Sequence, residues 1–184
     1  VGNLKQIYLA ATLYTDNYNS LPPSHTATYS WRAAIAPNLD KSIEVFNCPS
    51  ANDHRYEGTE AGEMVSGERS LDGGYGINIV HKDAGLPTPI SADPAAGGGT
   101  RLGRIADPSN TIVVGDGTTH TLPIIHRNDN STGFDYASHC TDEGVIRHTG
   151  KANYLFADGH VSKHASASLL CTTGECWWCV EGEH

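Results

Sequence analysis

Residues 147 to 164, RHTGKANYLFADGHVSKH, limit the possible folds more than any other stretch of the chain. Val145 to His148 and Ala152 to Phe156 are strand-like, and Thr149-Gly150-Lys151 between them fits a three-residue hairpin loop with glycine free to take a positive φ. Asp158-Gly159 follows, the pair favoured in a two-residue type I′ turn, and His160-Val161-Ser162 returns as the next strand. The expected motif is therefore a β-meander. In its middle strand Tyr154 and Phe156 point one way and Asn153 and Leu155 the other, so both faces of the sheet are expected to be covered.

At the other end of the chain, Leu4, Ile7, Tyr8, Ala11, Tyr14 and Tyr18 recur at spacings of three and four, one stripe of an amphipathic helix over residues 3 to 18. Asn19 and Ser20 end the pattern, and Pro22-Pro23 cannot continue it. Val1 and Gly2 supply no N-cap, so the helix is expected to begin upstream. SWRAAIAPNL predicts one or two helical turns around Trp31, Ile35 and Leu39. IEVFNCPSAND reads as a short extended run closing on Cys-Pro, and residues 51 to 70 read as a polar loop. GGYGINIV alternates Tyr75, Ile77 and Ile79 as a half-buried strand does, and Ile112 to Val114 is a β-branched buried strand.

The expected class is α+β, with the N-terminal helix packed on an antiparallel sheet among long irregular loops. Leu4, Ile7, Ala11 and Tyr14 should meet Ile112, Val114, Leu155 and Val161. With 20 glycines, 9 prolines and a single methionine, a helical bundle is excluded. Residues 1–165 read as one globular domain, whose first 19 residues are the helix, and residues 166–184 as a Cys-rich tail.

The formal net charge of −9 and the absence of any basic run exclude nucleic acid as a partner. Five cysteines, Cys48, Cys140, Cys171, Cys176 and Cys179, are many for a reducing compartment and are candidates for disulfides, with one thiol left over and the pairing open.

Four groupings of residues invite a chemical reading. His148, Asp158 and His160 could form a metal site suited to zinc or iron, but five extended residues span roughly 17 Å and hold His148 away from the Asp158 turn. The local alternative is that the Asp158 carboxylate bonds the backbone of its own turn. Asp116, in Gly-Asp-Gly, and Asp158 are loop carboxylates that calcium could take, although no ligand ladder accompanies them. Cys176-Trp-Trp-Cys179 has redox-dithiol spacing, and Cys171 with His184 could complete a zinc set; its place in a polar tail favours a disulfide-tied loop. His120, His126 and His139 are scattered in a polar stretch. No nucleophile triad, phosphate loop or carboxylate pair is present, so the expectation is a protein that is not an enzyme and needs no cofactor.

The order NLKQIYLAATLYTDNYNSLPP, SWR, FNCPS, YGIN, IADPSNTIVVGD and RHTGKANYLFADGHV resembles pilin-like proteins with a prepilin-type N-terminus and a C-terminal signature of His, nine residues, then Asp-Gly. Here that signature is His148 to Asp158-Gly159, with His160 following. The family looks like the pseudopilins of type II secretion. The resemblance implies a hydrophobic helix preceding this segment, which anchors the subunit in the inner membrane and packs in the core of a filament. It further implies an extracytoplasmic globular head, partners among other pilin-like subunits and the inner-membrane assembly machinery, and a head that is monomeric alone. Some pseudopilins bind calcium. The competing expectation is a small extracytoplasmic metal-dependent or thiol-redox enzyme using His148, Asp158 and His160 or the Cys176–Cys179 pair.

Overall fold

The computed structural model describes residues 1–22, 30–40, 42–51, 74–78, 101–117 and 148–165. Helix α1 spans Gly2–Tyr18, close to the predicted limits. It stops at Asn19, which takes a left-handed conformation (φ 56°) and returns its N–H to the Thr15 carbonyl at 2.7 Å. Asparagine tolerates that conformation better than most residues, which is why the stop was readable. Trp31–Ile35 form helix α2, continued by a 3₁₀ turn over Ala36–Leu39 that accommodates Pro37. Ile43–Phe46, expected to be extended, are instead a 3₁₀ turn. That tight turn places Val45 and Phe46 in the core, and Phe46 meets Trp31 edge-on with ring centres 5.6 Å apart.

Four strands, β1 (Tyr75–Ile77), β2 (Ile112–Asp116), β3 (Ala152–Phe156) and β4 (Val161–His164), form one antiparallel sheet in chain order. The architecture is mixed α and β, a helix against an antiparallel sheet, as the sequence implied. Leu4, Ile7, Ala10 and Ala11 of α1 are buried in a core with Ile77, Val113, Val114 and Leu155, and Tyr14 and Val161 pack at its edge. Complete burial of Leu4 or Ile7 contributes about 1.5–3 kcal/mol each, more than helix propensity offers to a segment of this length.

Ile112 is the exception. Simple alternation places it beside Val114 under the helix, but the β2–β3 register slips between Ile112 and Val114. The irregularity turns Val113 and Val114 into the α1-facing core and leaves Ile112, paired with Phe156, outside that cluster though fully buried. Arg32, also fully buried, donates from Nη2 to the Tyr75 carbonyl and lies 5.3 Å from the Trp31 ring centre, tying α2 to β1.

Both turns of the predicted meander differ in length from expectation. Before β3, Thr149 (φ 60°) and Gly150 (φ 75°) are both left-handed, and the His148 N–H meets the Lys151 carbonyl at 3.3 Å, so this loop is a two-residue turn. After β3, Phe156 N–H bonds the His160 carbonyl and Gly159 N–H bonds the Phe156 carbonyl, both at 2.9 Å. Only Gly159 (φ 88°) is left-handed there, so Ala157-Asp158-Gly159 is a three-residue loop rather than a type I′ pair. Its shape is set from outside: Ala157 and Asp158 donate their N–H groups to the carbonyls of Thr111 and Pro108. Residues 145–147 of the strand expected at 145–148, residues 52–70 of the expected polar loop, the tail at 166–184 and residues Cys140, Cys171, Cys176, Cys179, His120, His126, His139 and His184 lie outside the described residues, and His148 itself belongs to the turn.

Candidate functional site

The turn before β3 carries His148, the end of β2 carries Asp116, and the loop after the second 3₁₀ turn carries Cys48. Antiparallel pairing of Gly115 with Tyr154 brings the end of β2 beside the start of β3. Asp116 is completely buried there, and its Oδ2 accepts the Asn153 N–H at 2.6 Å and the Asn153 Nδ2 at 2.9 Å. Cys48 reaches the same place because Gly74, just before β1, allows a close approach. A Cβ on Gly74 would lie 2.2 Å from the Cys48 nitrogen, so no side chain fits between them.

His148 closes the group. Its Nε2 stands 3.4 Å from Cys48 Sγ and 3.2 Å from Asp116 Oδ2. One donor atom from each of the three residues falls within 4.8 Å of the others. Two of the three are buried, and the His148 side chain is only 20% exposed. Around them, the Tyr75 hydroxyl is in hydrogen-bonding contact with Cys48 and Asn3. Burial pushes the Tyr75 hydroxyl far above its ordinary pKa, with negative charge on Cys48 and Asp116 adding to the shift; it therefore stays a neutral donor beside the sulfur. Asn3 of α1 also donates to the Asn47 carbonyl at 2.9 Å, holding the residue before Cys48.

Cysteine, histidine and aspartate together suggest a nucleophile relay, but the connectivity is wrong for one. A relay needs sulfur on one imidazole nitrogen and the carboxylate on the other, so that a proton can enter one side while the other is held. Here both groups converge on Nε2. Three donors meeting at one point suit the ligation of a cation, and these three residues are the ones among the described residues placed to hold a metal.

The remaining candidates sit elsewhere. Asp158 and His160 lie beyond the far end of β3, where Asp158 Oδ1 accepts the His160 N–H at 2.9 Å and contacts His160 Nδ1 at 2.7 Å. The carboxylate thus bonds its own turn, and His148 is not part of that pair. Of the two aspartates considered as calcium ligands, Asp116 joins the Cys48–His148 group and Asp158 does not. Cys48, a disulfide candidate in the sequence, is a buried free thiol facing a histidine.

Gly159 has a different task. Its carbonyl accepts the Lys5 ammonium at 2.6 Å, and a Cβ added there would lie 2.5 Å from the Tyr8 ring, so α1 docks directly on the Asp-Gly turn. Asn153 and Tyr75 escaped the sequence reading as site residues because each looks like an ordinary strand position. No protein-family model matches the chain, and no match was found among curated proteins or solved structures.

Proposed function

We propose that this chain is the globular part of a structural, pseudopilin-like subunit of a type II secretion or type IV pilus-like filament, acting outside the cytoplasm. The observation that supports this reading best is the way α1 is used. Its inner face is buried on the sheet and clamped to the Asp-Gly turn through Lys5 and Tyr8, while Leu9 and Leu13, one turn apart on the outer face, are 63% and 50% exposed. A helix fixed to its own domain on one side and carrying two exposed leucines on the other can pack against helices of neighbouring subunits. On this reading α1 is the C-terminal half of a longer helix, whose upstream part anchors the subunit in the inner membrane and meets the assembly machinery. None of the helices among the described residues is long and apolar enough to cross a membrane.

The test is cross-linking in the producing cell. Leu9→Cys or Leu13→Cys in the whole gene product should give a ladder of linked multimers in the membrane fraction, and Lys163→Cys on the exposed edge should give none at the same positions. A product that stays monomeric and soluble in all three variants would end the filament reading. Sedimentation equilibrium of residues 1–184 adds a second check, with a monomer or a weak dimer expected at micromolar concentration.

A further inference from the structure

We propose that Cys48, Asp116 and His148 bind one zinc ion, which fastens the Cys48 loop and the His148 turn to the end of β2. The spacing of the donor atoms is the first argument. Tetrahedral zinc, with Zn–S about 2.3 Å and Zn–N or Zn–O about 2.05 Å, sets sulfur and nitrogen ligands about 3.5 Å apart and nitrogen and oxygen ligands about 3.3 Å apart. The separations here are 3.4 Å for Cys48 Sγ to His148 Nε2 and 3.2 Å for His148 Nε2 to Asp116 Oδ2.

Hydrogen bonding alone leaves the group incomplete. Nε2 carries either one hydrogen or one lone pair, so it can serve the sulfur or the carboxylate but not both well. Among the described residues, Oδ1 of the fully buried Asp116 carboxylate has no hydrogen-bond partner. Burying the negative charge of this carboxylate costs free energy, which a cation held on its other oxygen, Oδ2, would offset.

Ligand chemistry selects the ion. A thiolate with an imidazole and one carboxylate suits zinc, whereas calcium and magnesium require mainly oxygen ligands. Binding replaces the Cys48 thiol proton by the metal and releases that proton to solvent. The surrounding residues already have the roles that a metal site needs: Asn153 orients the carboxylate with two N–H groups, and the Tyr75 hydroxyl contacts the sulfur. Three protein ligands leave the fourth tetrahedral position to water.

The experiment uses the whole chain with Cys140→Ser, Cys171→Ser, Cys176→Ser and Cys179→Ser, so that Cys48 is its one thiol. Titration with cobalt(II) should give one ion per chain, with a thiolate-to-cobalt charge-transfer band that equimolar zinc abolishes. Adding Cys48→Ala or His148→Ala should remove that band and weaken zinc binding by at least about 100-fold. Cys48 is in the core, so His148→Ala, on a turn, decides the matter if the first variant does not fold. Cobalt binding without the sulfur band, zinc binding unchanged by His148→Ala, or no binding by the folded chain would each overturn the site. The filament reading stands or falls separately, because none of these outcomes bears on cross-linking through α1.

Discussion

A histidine stands beyond each end of β3, and the two live in opposite circumstances. His160 has its aspartate two residues away, stacks on Phe156 at 4.1 Å and belongs to a turn whose polar groups are served locally. His148 meets a cysteine 100 positions away along the chain and an aspartate from another strand, and the carboxylate it meets is buried. The Asp158 end builds the fold; the Asp116 end is where the fold assembles something further. The stretch from His148 to Gly159 therefore covers two tasks, with His148 at the convergent site and Asp158-Gly159 at the seat of α1.

Since α1 touches both ends, through Asn3 to the loop of Cys48 and through Lys5 and Tyr8 to Gly159, removing its seat should remove the contrast altogether. Ile7 is completely buried, and a carboxylate there has no place for its charge. Ile7→Asp should leave the domain unfolded at room temperature by circular dichroism. An unchanged melting temperature would refute the packing of α1 on the sheet.

The two aspartates offer the direct comparison. Asp116→Ala strands two buried donors of Asn153 and should cost about 2–4 kcal/mol. Asp158→Ala loses bonds at an exposed turn that water can replace, for about 0.5–1.5 kcal/mol. Urea denaturation of both variants without added metal measures the difference; equal losses would mean that the Asp116 end is no more buried in practice than the other.

A smaller contrast separates the two turn glycines. Gly159 and Gly150 both have positive φ, but only at Gly159 does an added Cβ run into a ring, that of Tyr8, while Gly150 faces open space. Gly159→Ala should cost about 2–3 kcal/mol and Gly150→Ala about 1 kcal/mol. If the order reverses, α1 does not rest on the Asp-Gly turn as described.

What could be read in advance follows the same division. The helix and its stop, the strands over Ala152–Phe156 and Val161–His164 and the local bonding of Asp158 depend on residues within a few positions of one another, and periodicity and turn chemistry report those. The shift at Val113 could not be read, because it arises from pairing with β3 and leaves Ile112-Val113-Val114 looking like any β-branched run. Turn lengths were interchanged for a related reason: Ala157 and Asp158 answer to Thr111 and Pro108, which no dipeptide preference includes. The Cys48–Asp116–His148 group joins three segments that only the tertiary fold brings together, and its one local trace, glycine at position 74, is one glycine among 20.

The smallest expected effect concerns pH, and it lies on β4, where His164 faces the aromatic side of the sheet. Its ring is centred 6.4 Å from that of Tyr154 and 6.0 Å from that of Phe156. Burial holds the His164 pKa below its ordinary value of 6.5, and repulsion from His160 and Lys151 lowers it further. The unfolded chain therefore takes up this proton before the folded one does, so stability is complete above pH 6.5 and falls as the pH drops from there through the folded pKa. Asp158 titrates in a separate window. Burial raises its pKa, but the His160 N–H, the His160 ring and its charge lower it more, so its contribution is present above 3.8 and fades only below. Denaturation midpoints measured at about pH 7.5 and about pH 5.5 should thus differ in the wild-type chain by more than in His164→Gln, with the difference between the two slopes reporting His164 alone. Identical slopes would place His164 in water rather than against Tyr154 and Phe156, and the aromatic face of the sheet would need to be redrawn.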